Sequence, residues 1–185
     1  MKKRILLIVL FISGTIYSQL GDYFVSNNHP KAKGLNFKVK PPIGYNQQEA
    51  NRPNIVQRWV NSELNTVLIL VKFKPKENVA SSQKEIENYY KSEQAVQDLI
   101  IESGGQAKNI KYFNLDNYPS LYYEYSQKVE RLDKEYITYT YSVNAIVEDY
   151  MFKLDFSSFS KNEFEKNKDL YRRIANSVIF TDQYN

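Results

Sequence analysis

The chain has 185 residues, 42% of them apolar, a formal net charge of +4 and no cysteine. Without Cys it can form no disulfide, thiolate metal site or thiol nucleophile, so its stability has to come from the core that a chain of this length can bury in one domain. Three of the 25 Lys and Arg residues and none of the 21 Asp and Glu fall within residues 1–18, which leaves 22 basic against 21 acidic groups and no overall pull toward nucleic acid.

Lys2, Lys3 and Arg4 precede an unbroken apolar run from Ile5 to Ile12, followed by Ser13-Gly14 and the short stretch Thr15-Ile16-Tyr17-Ser18. Charged, apolar and small-residue segments in that order mark a secretory signal peptide. The apolar run falls short of the ~18 to 20 residues that span a bilayer. The expectation is a leader over residues 1–18 cleaved after Ser18, and a periplasmic or secreted product with no transmembrane segment. No Cys follows the run, which excludes a lipoprotein.

Residues 19–33 are polar and aperiodic and read as a flexible lead-in, with a short strand near Tyr23 to Val25. The folded domain is expected over 34–182. Leu35, Phe37 and Val39 alternate with Asn36, Lys38 and Lys40, the period of a half-buried strand that Pro41-Pro42 and Gly44 end. Ile55 to Val60 and Thr66 to Phe73 are the next strands. The second carries Val67-Leu68-Ile69-Leu70-Val71, apolar on both faces as in a covered central strand, and Pro75 closes it. Ser82 and Glu85 form a capping box opening a long helix, with Ile86, Tyr89, Tyr90, Val96, Leu99 and Ile100 on one face and Gly104-Gly105 as its stop. Four strands follow, near Asn109 to Leu115, Leu121 to Val129, Tyr136 to Ala145 and Tyr150 to Ser157. The breaks between them are Asp116-Asn117-Tyr118-Pro119, a charged turn around Arg131 to Lys134, and Glu148-Asp149. Connections this short make neighbours antiparallel. A second capping box, Ser160 with Glu163, opens a final helix bearing Phe164, Leu170, Tyr171 and Ile174, and Val178-Ile179-Phe180 ends the domain. The predicted class is α+β, an antiparallel sheet flanked by helices.

The stretch Leu35-Asn36-Phe37-Lys38-Val39-Lys40-Pro41-Pro42-Ile43-Gly44-Tyr45 resembles the opening strand, Pro and aromatic of PsbP/DcrB-like domains. The close, Ile174-Ala175-Asn176-Ser177-Val178-Ile179-Phe180, is similar to the end of those domains, and the aromatic hairpin around Asn117-Tyr118-Pro119 and Tyr122 to Tyr125 fits between them. The resemblance implies an α/β/α sandwich over about residues 34 to 182 and a non-catalytic accessory, binding or stabilising role. No metal-ligand motif of the photosynthetic members can be matched, so their roles are not carried over. Small-residue cleavage followed directly by Gln19 resembles exported proteins of the Bacteroidetes.

Searched for chemistry, the sequence gives no catalytic group. Its one His, His29, lies in the lead-in and reads as a solvated loop residue, so neither a Ser–His–Asp group nor a histidine zinc site is expected. Gly104-Gly105 reads as a helix stop and not a phosphate loop. Glu130, Asp133 and Glu135, interleaved with Lys128, Arg131 and Lys134, read as a solvated hairpin tip without calcium-loop spacing, as do Glu148-Asp149. Asp155 is the strand-borne carboxylate, alternating away from Phe152, Leu154 and Phe156. The 16 tyrosines are the distinctive feature. Ile137, Tyr139, Tyr141 and Val143 are expected to look inward, with Thr138, Thr140, Ser142 and Asn144 opposite. Leu121, Tyr123 and Tyr125 alternate in the same way with Tyr122, Glu124, Ser126 and Lys128. Tyr112, Tyr118 and Tyr122, near the polar sheet face, are the candidate binding residues, since aromatics with a polar tip suit ligand grooves and interfaces. No cofactor or metal is expected. The leading expectation is a non-catalytic exported protein binding an envelope protein or small ligand; the alternatives are a periplasmic immunity-type protein and a carboxylate-dependent hydrolase or cation-binding protein.

Overall fold

The computed structural model describes residues 20–73, 82–104, 106–131 and 133–184. The expected leader over 1–18 and Pro75 lie outside them. The strands are β1 (Phe24–Val25), β2 (Phe37–Val39), β3 (Asn46–Gln48), β4 (Ile55–Val60), β5 (Thr66–Phe73), β6 (Lys108–Leu115), β7 (Tyr118–Arg131), β8 (Lys134–Val147), β9 (Tyr150–Ser158) and β10 (Ile179–Phe180). The helices are α1 (Gln83–Tyr90), α2 (Glu93–Glu102), α3 (Lys161–Lys166) and α4 (Lys168–Ala175). Among the described residues they build a seven-stranded sheet, in the order β3-β4-β5-β9-β8-β7-β6, and a small sheet β1-β2-β10. Every pairing is antiparallel.

The large sheet is long because its turns are tight. Leu115 pairs with Tyr118 across Asp116-Asn117, both at positive φ (46° and 71°). That combination makes a two-residue turn whose twist matches the strands it joins, and Asp and Asn tolerate it best after Gly. Val147 pairs with Tyr150 across Glu148-Asp149, where Glu148 is at positive φ (51°) and Asp149 is not. Pro119, expected in the break, instead sits inside β7, where it pairs with Asn114 of β6. Pairing with β8 begins one residue later, at Ser120, so no ladder bond to β8 is needed from the residue that lacks an N–H.

One face of the large sheet carries the main core. Val67, Ile69, Val71, Val143, Phe152, Leu154 and Phe156 pack there against Phe37 and Val39 of β2, Phe180 of β10, and Phe164, Tyr171 and Ile174 of α3 and α4. Phe37, Phe152 and Phe180 interlock edge to face, with centroids 5.1 to 5.2 Å apart. The other face holds a smaller cluster in which Ile86 and Tyr90 of α1 and Ala95 and Leu99 of α2 cover Leu121, Tyr123 and Ile146. The layers are therefore helix pair, sheet, and helix pair with small sheet.

Both long helices expected from the sequence are broken in two. The Ser82 box forms in full, its hydroxyl accepting the Glu85 N–H while the Glu85 carboxylate accepts the Ser82 N–H at 3.0 Å. The helix then stops at Tyr90, because the Ser92 hydroxyl caps a second start by accepting the Ala95 N–H. At the other end the Ser160 hydroxyl accepts the Glu163 N–H, but the Glu163 carboxylate turns toward Lys166 and Asn167 instead of closing the box. Asn167 interrupts that helix. Within residues 19–33, Ser26 and Ala32 are buried, and the Ser26 hydroxyl accepts the Phe37 N–H at 2.8 Å, pinning β1 beside β2.

Candidate functional site

The helices α1 and α2 cover only the β6–β7–β8 end of their sheet face. Beyond them no described residue covers the face, and a groove of about 430 Å³ crosses β4, β5, β9, β8 and β7. Its side chains follow from strand alternation and register. On β5, Val67, Ile69 and Val71 point into the core, so Leu68 and Leu70 face the groove. The double-sided apolar run is thus fully buried on one side and half-exposed on the other, which corrects the expectation of a strand covered on both faces. Arg58 pairs with Leu68, Leu68 with Asp155, and Asp155 with Ser142, forming one row across four strands. Thr66, Ser157 and Thr140 form the next row, ending on Tyr125.

The polar side chains of the floor satisfy one another. Thr140 and Ser157 share a hydrogen bond at 3.1 Å, and the Thr138 hydroxyl donates to the Gln127 carbonyl at 3.3 Å. The Ser142 hydroxyl donates to Asp155 Oδ1 at 2.5 Å, and Lys153 Nζ lies 3.6 Å from Oδ2. The same ammonium stands 5.8 Å from the ring centroids of Tyr123 and Tyr125. Burial pushes the Asp155 carboxyl above its ordinary range, and Lys153 and Ser142 pull it part of the way back. Burial and then the neighbouring Asp155 charge push the Tyr125 hydroxyl up to about 12. The expectation that Thr138, Thr140, Ser142 and Asn144 share a polar face holds, but Thr138, Thr140 and Ser142 are buried by their strand neighbours.

The charged groups at the mouth behave differently. Arg52 is exposed in the loop before β4 and Arg58 is half-buried on β4; both line the groove, and neither guanidinium has an ion pair among the described residues. Ile55 lies between them in sequence, and Val129 and Phe159 close the opposite wall.

Tyr112, Tyr118 and Tyr122 do not form one surface. Tyr112 packs on the α1–α2 side, its hydroxyl donating to Asn114 Oδ1 at 2.8 Å under the Lys91 ammonium. Tyr118 is buried on the opposite side, edge-on to Phe180, and Tyr122 stacks there on Tyr141 with centroids 5.2 Å apart. The strand period separates them, since Tyr118 and Tyr122 share a parity on β7 while Tyr112 pairs with Leu121, of the other parity.

His29 is more ordered than a solvated loop residue. Its Nδ1 accepts the Lys31 N–H at the start of a 3-10 turn over Pro30–Ala32, and its ring meets Phe24 edge-on. Partial burial, and then Lys31, lower its pKa. In the acidic hairpin, Glu135 pairs with Lys128 at 3.2 Å, both exposed, and Glu130 stands opposite Glu135. Among the described residues no three His, Asp or Glu side chains gather closely enough to hold a metal. None of their helices is long and apolar enough to cross a membrane.

Sequence reasoning singled out Asp155 but missed Arg52, Arg58, Leu68 and Leu70. The available signal was the apolar run on β5, read as evidence of cover.

A sheet carrying helices on both faces, with a second small sheet closing one side, is the PsbP-like sandwich, and this chain has that fold. Cyanobacterial PsbP (CyanoP) from Synechocystis sp. PCC 6803 is similar to it with a TM-score of 0.51 at 11% identity, over 90% of this chain and 95% of that one. LpqN, described as involved in cell envelope biogenesis of Mycobacterium tuberculosis, is similar with a TM-score of 0.53 at 7% identity, over 85% of this chain and 90% of that one. No family profile and no curated protein matches the sequence. At such identities the likeness concerns the fold, and function has to be argued from the site.

Proposed function

We propose that this protein is a non-catalytic binding protein of the cell envelope, exported by its leader and cleaved after Ser18, and that it holds a small ligand in the groove beside α1 and α2. The observation that carries the reading is the open half-face itself. The core side of the large sheet is closed by two helices and the small sheet, whereas Leu68 and Leu70 are left half-exposed in a groove of about 430 Å³. That volume lies in the range of ligand pockets, roughly 300 to 1,000 Å³, and Leu68 and Leu70 share its lining with the placed hydroxyls of Thr66, Thr138, Thr140 and Ser157. A leader of the secretory type and a structural neighbour tied by description to cell envelope biogenesis both support an envelope location.

The groove favours a small ligand over a protein partner, because Leu68 and Leu70 are recessed among hydroxyls and Leu64 is the one apolar side chain of the described lining that is exposed. The test is a photo-crosslinking residue placed at Gln127, exposed at the groove wall, compared with one at Lys161, exposed on α3 across the sheet. Adducts from intact envelopes are expected at Gln127 only. Equal adduct formation at both positions, or none at Gln127, would sink the reading.

A further inference from the structure

We infer that the groove takes a single-chain amphiphile with a carboxylate headgroup, a long-chain fatty acid, its head on Arg52 and Arg58 and its hydrocarbon across Leu68, Leu70 and the Val129–Phe159 wall. This rests on the binding reading above and names the ligand's chemistry.

Most of the groove's own polar groups are already satisfied within the protein. Thr66 donates to the Leu64 carbonyl at 3.2 Å, Thr138 to the Gln127 carbonyl, Thr140 pairs with Ser157, and the Ser158 hydroxyl donates to the Ser160 carbonyl at 3.1 Å. Asp155 is held by Ser142 and Lys153. These groups ask little of a ligand, so a methylene chain can lie over them without leaving a buried donor or acceptor stranded. The two arginines are the exception, since both stand at the β4 side without an ion pair among the described residues. A guanidinium fork matches a carboxylate in geometry as well as charge, and it can stay at the mouth in water while the chain enters. The complement of two cations that have no ion pair among the described residues, standing beside Leu68 and Leu70, is an anion carrying a hydrocarbon tail. A cationic amphiphile would meet like charge, and a neutral one would leave the arginines unused.

The test titrates hexadecanoate, hexadecanol and hexadecyltrimethylammonium, each below its aggregation limit, into the protein as expressed from the full chain. Acetate serves as the headgroup-only control. Hexadecanoate is expected to bind one to one, at least about tenfold tighter than hexadecanol, with no measurable binding of the cationic probe or of acetate. Shortening the acid should weaken binding roughly fourfold per methylene for as long as the lost carbon lay in the groove. The double variant Arg52→Gln with Arg58→Gln should bind the acid and the alcohol alike, with its melting temperature unchanged. Leu68→Gln should weaken both.

Equal affinity of the wild type for acid and alcohol, or acid binding that survives the double arginine variant, overturns the assignment. Acid binding that Leu68→Gln leaves untouched would place the ligand elsewhere and overturns it too. If hexadecanoate fails to bind while Gln127 still crosslinks an envelope molecule, the ligand class is wrong and the groove's binding role survives. If both fail, both readings fall.

Discussion

Tyr171 stacks on Phe156 at 4.9 Å between centroids, yet its buried hydroxyl has no hydrogen-bond partner among the described residues. A buried, unsatisfied hydroxyl costs free energy, whereas the ring supplies the packing. Tyr171→Phe is therefore expected to leave the fold intact and raise unfolding stability by about 1 kcal/mol, measured in urea. Asp155 makes a second prediction at this scale. Its carboxyl is raised above its ordinary 3.8 by burial, so the folded state disfavours ionisation more than the unfolded chain does. Stability from this group is complete below the unfolded value and is lost as pH climbs through the higher folded value. In Asp155→Asn that loss disappears, so the stability of the variant relative to wild type should move in the variant's favour as pH rises through and above the unfolded value of 3.8. A difference that stays flat, or runs the other way, would show that Lys153 and Ser142 outweigh the burial.

The elements show how far the pattern of residues could be read. The β5, β7, β8 and β9 strands were legible because alternation and turn residues agreed, with Asp116-Asn117 and Glu148-Asp149 standing where the chain reverses. The helix break was not, because apolar spacing runs on from Ile86 to Ile100 with no Gly or Pro, and only the Ser92-Glu93 pair marks a new start. Ser92 earns a direct test. Ser92→Ala removes the acceptor of the Ala95 N–H and should cost about 1 kcal/mol, detectable as a lower urea midpoint. The groove was illegible for a different reason. Period-two patterning tells which residues share a face of β5, but how much of that face α1 and α2 reach depends on helix length and placement, which no strand encodes. Tyr112 lies on one face and Tyr118 and Tyr122 on the other, because strand parity and not nearness in sequence decides which residues share a face.

Taken whole, the molecule has no covalent staple and depends on the main core for its stability. Phe152 meets both Phe37 and Phe180 edge-on and is 1% exposed, so it joins the large sheet to the small one. Phe152→Ala should cost about 3 to 5 kcal/mol, a large share of the roughly 5 to 15 kcal/mol that holds a domain of this kind folded. Calorimetry should show a single, lowered transition if sheet and helices unfold together.

The small sheet has a further consequence. β1, near the start of the described chain, and β10, near its end, flank the same strand β2, across the large sheet from the groove. A surface linkage, affinity handle or fused reporter attached beside β1 or β10 would project from the back of the molecule. The protein could be tethered by its tail, or displayed on a bead, with its open side turned outward and unobstructed.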